Sequence, residues 1–75
     1  MPAPEQNQER WVCLFANKIL YKVEILKGLL EESDIPVVII NKQDSAYLFG
    51  DIELYVKLDH VLRAQQILKQ FLTDE

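Results

Sequence analysis

Apolar residues recur at three- and four-residue spacing across residues 17–33, and this periodicity predicts an amphipathic α-helix. The residues on its apolar side are Ile19, Val23, Leu26, Leu29 and Leu30. Asn17 is a suitable N-cap because its side-chain oxygen can accept a hydrogen bond from the first turn, and Pro36 forces the chain out of helical geometry afterwards. Tyr21 and Ile25 widen the apolar side of the helix beyond what one flat contact requires. We expect a helix with this apolar side to lie on a sheet.

Three other segments have the composition of β-strands. Residues 10–16 are aromatic-rich and free of breakers, and residues 36–41 are β-branched at most positions. Residues 52–58 alternate apolar and polar side chains, which is typical of a strand with one covered face. A second amphipathic helix is predicted from its cap Asp59 to about Leu72.

The resulting order, β-α-β-β-α, is supported by a weak internal repeat in which residues 11–33 align with residues 53–75. Two amphipathic helices can align this way by chance, so a β-α duplication and a chance match both remain open. Taken as a duplication, the repeat aligns Val12 and Leu14 with inward positions of the third strand. These two side chains are therefore expected to face the helices.

Short connections and right-handed crossovers restrict how these elements can be arranged. We expect the first and third strands to be parallel and adjacent, with the second strand beside the third, which gives the sheet order 1-3-2. Both helices then lie on one face. The predicted fold is α+β, a ferredoxin-like split β-α-β arrangement without its last strand.

The other face of this sheet has no helix to cover it in the predicted arrangement. It is expected to carry Trp11, Cys13, Phe15 and Tyr55, and the first strand is an edge with hardly any charge. Exposed apolar patches and bare edge strands mark partner surfaces, so we expect a homodimer through this face or edge. Alternatively, the N-terminal leader folds over the patch and the protein is a monomer.

The composition fits one small domain over residues 11–72, with a disordered leader at residues 1–10 and a frayed end at residues 73–75. The single cysteine excludes an internal disulfide, which favours the cytoplasm. A formal net charge of −4 with scattered basic residues argues against nucleic-acid binding. The longest apolar runs, residues 11–16 and 37–40, are too short to span a membrane.

The connection between the second and third strands, residues 42–51, is the strongest functional candidate, because it exceeds the roughly two to five residues of most hairpin loops. Its candidate partner- or ligand-binding residues are Asn41, Lys42, Gln43, Asp44, Ser45, Tyr47, Phe49 and Gly50. Loops concentrate binding residues. Alternatively, Tyr47 and Phe49 pack over the open end of the sheet and the loop is structural.

No residue pattern in the sequence indicates catalysis, a metal site or a cofactor. His60 has no second histidine to share a metal with, and Cys13 is better explained by packing or an interface than by nucleophilic chemistry. Glu24, Glu31 and Glu32 fall on a solvated side of the first helix rather than in a cleft. We therefore expect a protein that is not an enzyme.

Several short motifs resemble one family, the small bacterial "putative signal-transducing protein" domain of unknown function. They are residues 11–15 (WVCLF), 27–31 (KGLLE), 35–38 (IPVV), 41–45 (NKQDS), 49–50 (FG) and 53–56 (ELYV). The resemblance covers residues 11–72 approximately. Asp34 departs from it, since members often have glycine there, but aspartate also tolerates the left-handed conformation of a helix exit.

This family is described as similar in fold to the nitrogen-regulatory PII proteins, whose segment between the second and third strands is a regulatory, partner-binding loop. Residues 42–51 occupy the corresponding place, although the loop is shorter and no PII nucleotide signature is present. The resemblance implies a regulatory, protein-interaction domain of signal transduction whose partner contacts this loop. The alternative is a small-molecule or nucleotide sensor, with its pocket between the loop and a neighbouring subunit.

Overall fold

The computed structural model describes residues 10–43 and 50–74. Its elements are β1 (Trp11–Asn17), α1 (Leu20–Glu32), β2 (Val37–Asn41), β3 (Ile52–Lys57), a 3₁₀ turn (Leu58–His60) and α2 (Val61–Asp74). The predicted order β-α-β-β-α is confirmed. Helix α2 continues two residues past its predicted end, and the Thr73 hydroxyl donates a hydrogen bond to the Lys69 carbonyl at 2.9 Å.

The three strands form one sheet in the order β1-β3-β2, as predicted. Strand β3 is antiparallel to both of its neighbours, so the predicted parallel pairing of the first and third strands is wrong. The crossover through α1 connects β1 to β2, and these two strands are parallel but not adjacent. The β2–β3 connection then reverses the chain, and β3 lies between β1 and β2. The fold is the α+β, ferredoxin-like split β-α-β arrangement.

The core lies between this sheet and the two helices. Its fully buried members come from α1, α2, β3 and the α1–β2 connection: Val23, Leu26, Leu30, Ile35, Ile52, Leu54, Val56 and Ala64. Alternate residues of β3 all take part, because successive side chains of a strand point to opposite faces. The helices therefore cover one face of the sheet.

The entry and exit of α1 are each held by local hydrogen bonds. Asn17 belongs to β1, and its Oδ1 accepts a hydrogen bond from the Ile19 amide at 2.8 Å, so the helix starts later than predicted. At the exit, Asp34 has a φ of 62°. The Ile35 amide donates to the Leu30 carbonyl at 3.1 Å, which completes the left-handed helix stop expected for Asp34.

Strand β1 contains an irregularity in its pairing with β3. Cys13 lies opposite Tyr55, but Phe15 lies opposite Leu54, so Leu14 is an extra residue on the β1 side. Such a β-bulge shifts the alternation of side chains by one position. Every residue after the bulge therefore points to the face opposite the one that simple alternation predicts.

The bulge changes the position of Phe15. Its ring packs edge-on against Phe71 of α2, with the ring centroids 6.0 Å apart, so it lies on the helix side of the sheet. The predicted placement of Phe15 on the open face is therefore wrong. Leu14 packs against the core, as predicted, and Val12 lies opposite the buried Val56.

Within residues 10–43 and 50–74, none of the helices combines the length and the apolar character that crossing a membrane requires.

Candidate functional site

The described ends of the candidate loop are closed by hydrogen bonds. The Lys42 amide donates to the Asp51 carbonyl at 3.1 Å, one step beyond the pairing of β2 with β3. The Gln43 amide donates to Asn41 Oδ1 at 2.9 Å. The first of these contacts extends the antiparallel ladder into the base of the loop. The other predicted contact residues, Asp44, Ser45, Tyr47 and Phe49, lie outside the described residues.

A second connection, between β1 and α1, is joined to the base of this loop. The side-chain amide of Gln43 donates to the Lys18 carbonyl at 2.9 Å. Lys18 Nζ also lies 3.2 Å from Asp51 Oδ1, although both side chains are largely exposed. An exposed ion pair contributes little stability, so the Gln43 hydrogen bond is the main link between the two connections.

Gly50 lies against the backbone of Lys42 on the opposite side of the loop base. A Cβ atom at this position would overlap the carbonyl oxygen of Lys42 and would lie 2.7 Å from its carbonyl carbon. Glycine in a loop often supplies backbone freedom. The structure gives a different reason for glycine, namely the close approach of the opposite backbone.

A hydrogen-bonded group of three side chains lies on the sheet next to the loop base. Lys42 Nζ is 3.5 Å from Glu53 Oε1, and the Tyr55 hydroxyl donates to the same oxygen at 2.7 Å. This hydrogen bond raises the pKa of Tyr55, because deprotonation would break it and place two negative charges together.

The open face of the sheet, the face without helices, is largely apolar. We define it by Trp11, Cys13, Ala16, Val38, Ile40, Glu53, Tyr55 and Lys57, from the register of the strands. Trp11, Val38 and Ile40 are each about two-fifths exposed. Lys57 Nζ lies 5.6 Å from the centroid of the Trp11 ring, within the range of a cation–π contact.

Sequence reasoning found only part of this face. It identified Trp11, Cys13 and Tyr55 but missed Val38 and Ile40, because β2 is β-branched on both sides and shows no alternation. The pairing register supplies the missing signal. Val38 lies opposite Tyr55, whose side is fixed by the clean alternation of β3.

The other residues considered for chemistry have ordinary surroundings. Burial raises the pKa of the Cys13 thiol, and the nearby Glu53 carboxylate raises it further, so this cysteine is not an activated nucleophile. His60 Nε2 lies 3.9 Å from Asp59 Oδ1. In the part of the chain that the structure describes, no group of three or more histidine, cysteine or acidic side chains is placed to hold a metal ion.

Comparison with known proteins identifies a family. A family model described as "Putative prokaryotic signal transducing protein" matches residues 11–71, which span the fold from β1 to the last turn of α2. No curated protein and no solved structure matches the chain significantly. The family match covers most of the chain and confirms the resemblance seen in its motifs. The chain belongs to the family described as putative prokaryotic signal transducing proteins.

Proposed function

We propose that this chain is a cytoplasmic, non-catalytic interaction domain of signal transduction, and that its protein partner contacts the β2–β3 connection at residues 41–50. The description of its family supports a role in signal transduction. The contact at the loop is supported by the closed loop base, in which Gln43 joins the loop to the β1–α1 connection. A base held from two sides fixes the position from which the loop leaves the domain.

The composition of the loop matches the chemistry of protein recognition. Lys42 and Asp44 supply charged contacts, and Tyr47 or Phe49 supplies an apolar anchor of the kind that dominates binding energy at interfaces. The Lys42 side chain is 55% exposed, and its ion pair with Glu53 is long enough to be exchanged for a carboxylate of the partner.

Affinity capture from native prokaryotic lysate tests this contact. The full chain and the variant Gln65→Ala, which changes an exposed residue of α2, are expected to recover the same partner. The double variant Asp44→Ala/Tyr47→Ala is expected to lose it by roughly tenfold or more, because it removes one charged contact and one anchor. Circular dichroism confirms that all three baits are folded. Equal recovery by the double variant contradicts the loop contact.

The alternative function is a small-molecule or nucleotide sensor at the same loop. It is favoured by two ammonium groups at the loop base, those of Lys18 and Lys42, each paired with a carboxylate that an anion could displace. Titration of the ¹⁵N-labelled chain with nucleotides and anions separates the two functions. We expect unchanged spectra. Shifts of loop resonances that disappear in Asp44→Ala would support the sensor instead.

We also propose that the open face binds a second copy of the chain. Its polar groups are occupied within one protomer, since Glu53 contacts Tyr55 and Lys42, and Lys57 lies over Trp11. A second apolar sheet can therefore cover this face without leaving those groups unpaired.

The layout of the open face is also self-complementary. Trp11 lies on the β1 flank, and Val38 and Ile40 lie on the β2 flank, with β3 between them. A two-fold axis along β3 places the aromatic flank of each copy over the aliphatic flank of the other, as an isologous sheet-on-sheet contact requires. The oligomeric state of variants that carry an added charge on this face tests the arrangement.

A further inference from the structure

The helix layer has a second apolar surface, on the side away from the sheet. Tyr21, Ile25 and Leu29 recur every four residues along α1 and are 63%, 50% and 38% exposed. Facing them are Ile67 and Phe71, one turn apart on α2. The groove between the helices, here called the interhelix groove, has a volume of about 480 Å³ and is lined by Ile25, Leu29, Glu32, Ser33, Ile67, Gln70, Phe71 and Asp74.

The groove extends beyond the hollow that this volume measures. A smaller hollow of about 290 Å³ shares Ile25 and Phe71 with it and continues to Tyr21 and Lys22 near the start of α1. The two hollows together follow more than two turns of α1. This length suits a short helix laid between the two helices of the domain.

The core does not require the apolar residues that α1 contributes to the groove. Helix α1 already contributes Val23, Leu26 and Leu30 to the core, each of them fully buried. Tyr21 and Ile25 are the residues that make the apolar side of this helix wider than a sheet contact requires. A contiguous exposed apolar surface on a small domain marks an interaction site.

The charges along the groove indicate the chemistry of its occupant. The main groove has two charged lining residues, Glu32 on α1 and Asp74 on α2, and both are acidic, whereas the smaller hollow adds one basic residue, Lys22. Among residues 10–43 and 50–74, neither carboxylate takes part in an ion pair or a side-chain hydrogen bond. The chain as a whole carries a formal net charge of −4. An apolar floor between unpaired carboxylates is complementary to an apolar ligand with basic flanks.

We propose that the interhelix groove binds a short amphipathic helix of a partner protein, with apolar residues at three- and four-residue spacing and lysine or arginine beside them. Helix-in-groove recognition uses this pairing of an apolar stripe with a hydrophobic groove. A second copy of the chain fits less well, because it would bring its own carboxylates against Glu32 and Asp74. The proposal goes beyond the loop contact and does not depend on it.

Three designed peptides of roughly four helical turns test this proposal. The first carries a leucine stripe flanked by lysines, the second replaces the lysines with glutamates, and the third permutes the lysine peptide so that the stripe is lost. Each is titrated into the ¹⁵N-labelled full chain. We expect the lysine peptide to bind most tightly, with shifts concentrated at Ile25, Leu29 and Phe71. The glutamate and permuted peptides are expected to bind at least about tenfold more weakly.

Two matched variants locate the binding site. Ile25→Ser removes a half-exposed residue that lines the groove, and it is expected to weaken the lysine peptide by roughly tenfold. Leu62→Ser changes a residue of α2 that is 78% exposed and does not line the groove, and it is expected to leave the affinity unchanged.

Other results would overturn the proposal. These are equal affinity for the lysine and glutamate peptides, no saturable binding by the lysine peptide, or shifts confined to the open face. Dissociation of a dimer by Ile25→Ser would show that a second copy occupies the groove. Nuclear Overhauser contacts between the groove and residues 1–9 of the free chain would show that the chain occupies its own groove.

Discussion

Replacing Leu26 with alanine is expected to lower the free energy of unfolding by about 2–5 kcal/mol. Leu26 is fully buried at the centre of the core, where α1 meets β3. The substitution removes apolar contacts and leaves a cavity that the surrounding side chains fill only in part. Since small domains have total stabilities of roughly 5–15 kcal/mol, such a loss is a large fraction of the whole. Urea unfolding followed by circular dichroism measures it, and Leu54→Ala is expected to fall in the same range.

The neighbouring residue of α1 supplies the control. Ile25→Ala removes an aliphatic side chain of the same size that is half exposed and lies in the interhelix groove. Its cost is expected to stay below about 1 kcal/mol, because little of the removed surface is taken from the core. Similar losses for the two variants would mean that α1 does not face the sheet as described.

Replacing Gly50 with alanine is expected to cost about 1–3 kcal/mol. The new Cβ would overlap the Lys42 carbonyl group, which belongs to the backbone and cannot rotate away. The two strands of the loop base must then separate, which weakens the hydrogen bond from the Lys42 amide to the Asp51 carbonyl. Chemical denaturation gives the global loss, and faster hydrogen exchange of the Lys42 amide reports the local opening.

Gly28→Ala is the matched control for this substitution. Gly28 lies in the interior of α1, with no atom within 4 Å of the added Cβ. Alanine is the better helix former by about 1 kcal/mol, so the variant is expected to be more stable than the wild type by up to this amount. A Gly50→Ala variant with unchanged stability and unchanged exchange at Lys42 would contradict the close approach at the loop base.

Most of the fold could be predicted from local patterns. The three- and four-residue spacing in α1 identified the helix, and the clean alternation of β3 identified its buried face. The predicted sheet order is correct, although it rests on a parallel pairing of the first and third strands that is wrong. The antiparallel direction of β3 could also have been predicted, because a hairpin between β2 and β3 reverses the chain.

The bulge at Leu14 could not be predicted. Residues 11–16 are apolar at every position, so an extra residue leaves no break in the pattern. Simple alternation therefore predicts Phe15 on the open face, whereas its edge-on contact with Phe71 places it on the helix side. When every residue of a strand is apolar, its sequence does not indicate which side chains face which side of the sheet.

The position of the candidate site could be predicted from the sequence, but the contacts that join its parts could not. The length of the β2–β3 connection marked it as a functional candidate. The hydrogen bond between Gln43 and Lys18 joins residues 25 positions apart, and no short-range pattern encodes such a contact. The interhelix groove had a visible signal in Tyr21 and Ile25, whose apolar surface exceeds what the sheet contact needs.

The division of the sheet into a face covered by helices and a face that we propose binds a second copy is tested most directly by sedimentation equilibrium. The wild type is expected to be a dimer at tens of micromolar protein, which is the result for a contact with a Kd of about 1–10 µM. Val38→Lys places a charge on the open face and is expected to give a folded monomer, because an unpaired ammonium group would be buried at the contact. Leu62→Lys, on the exposed side of α2, is expected to remain a dimer. A wild-type monomer, or a dimer that persists in Val38→Lys, would contradict the account.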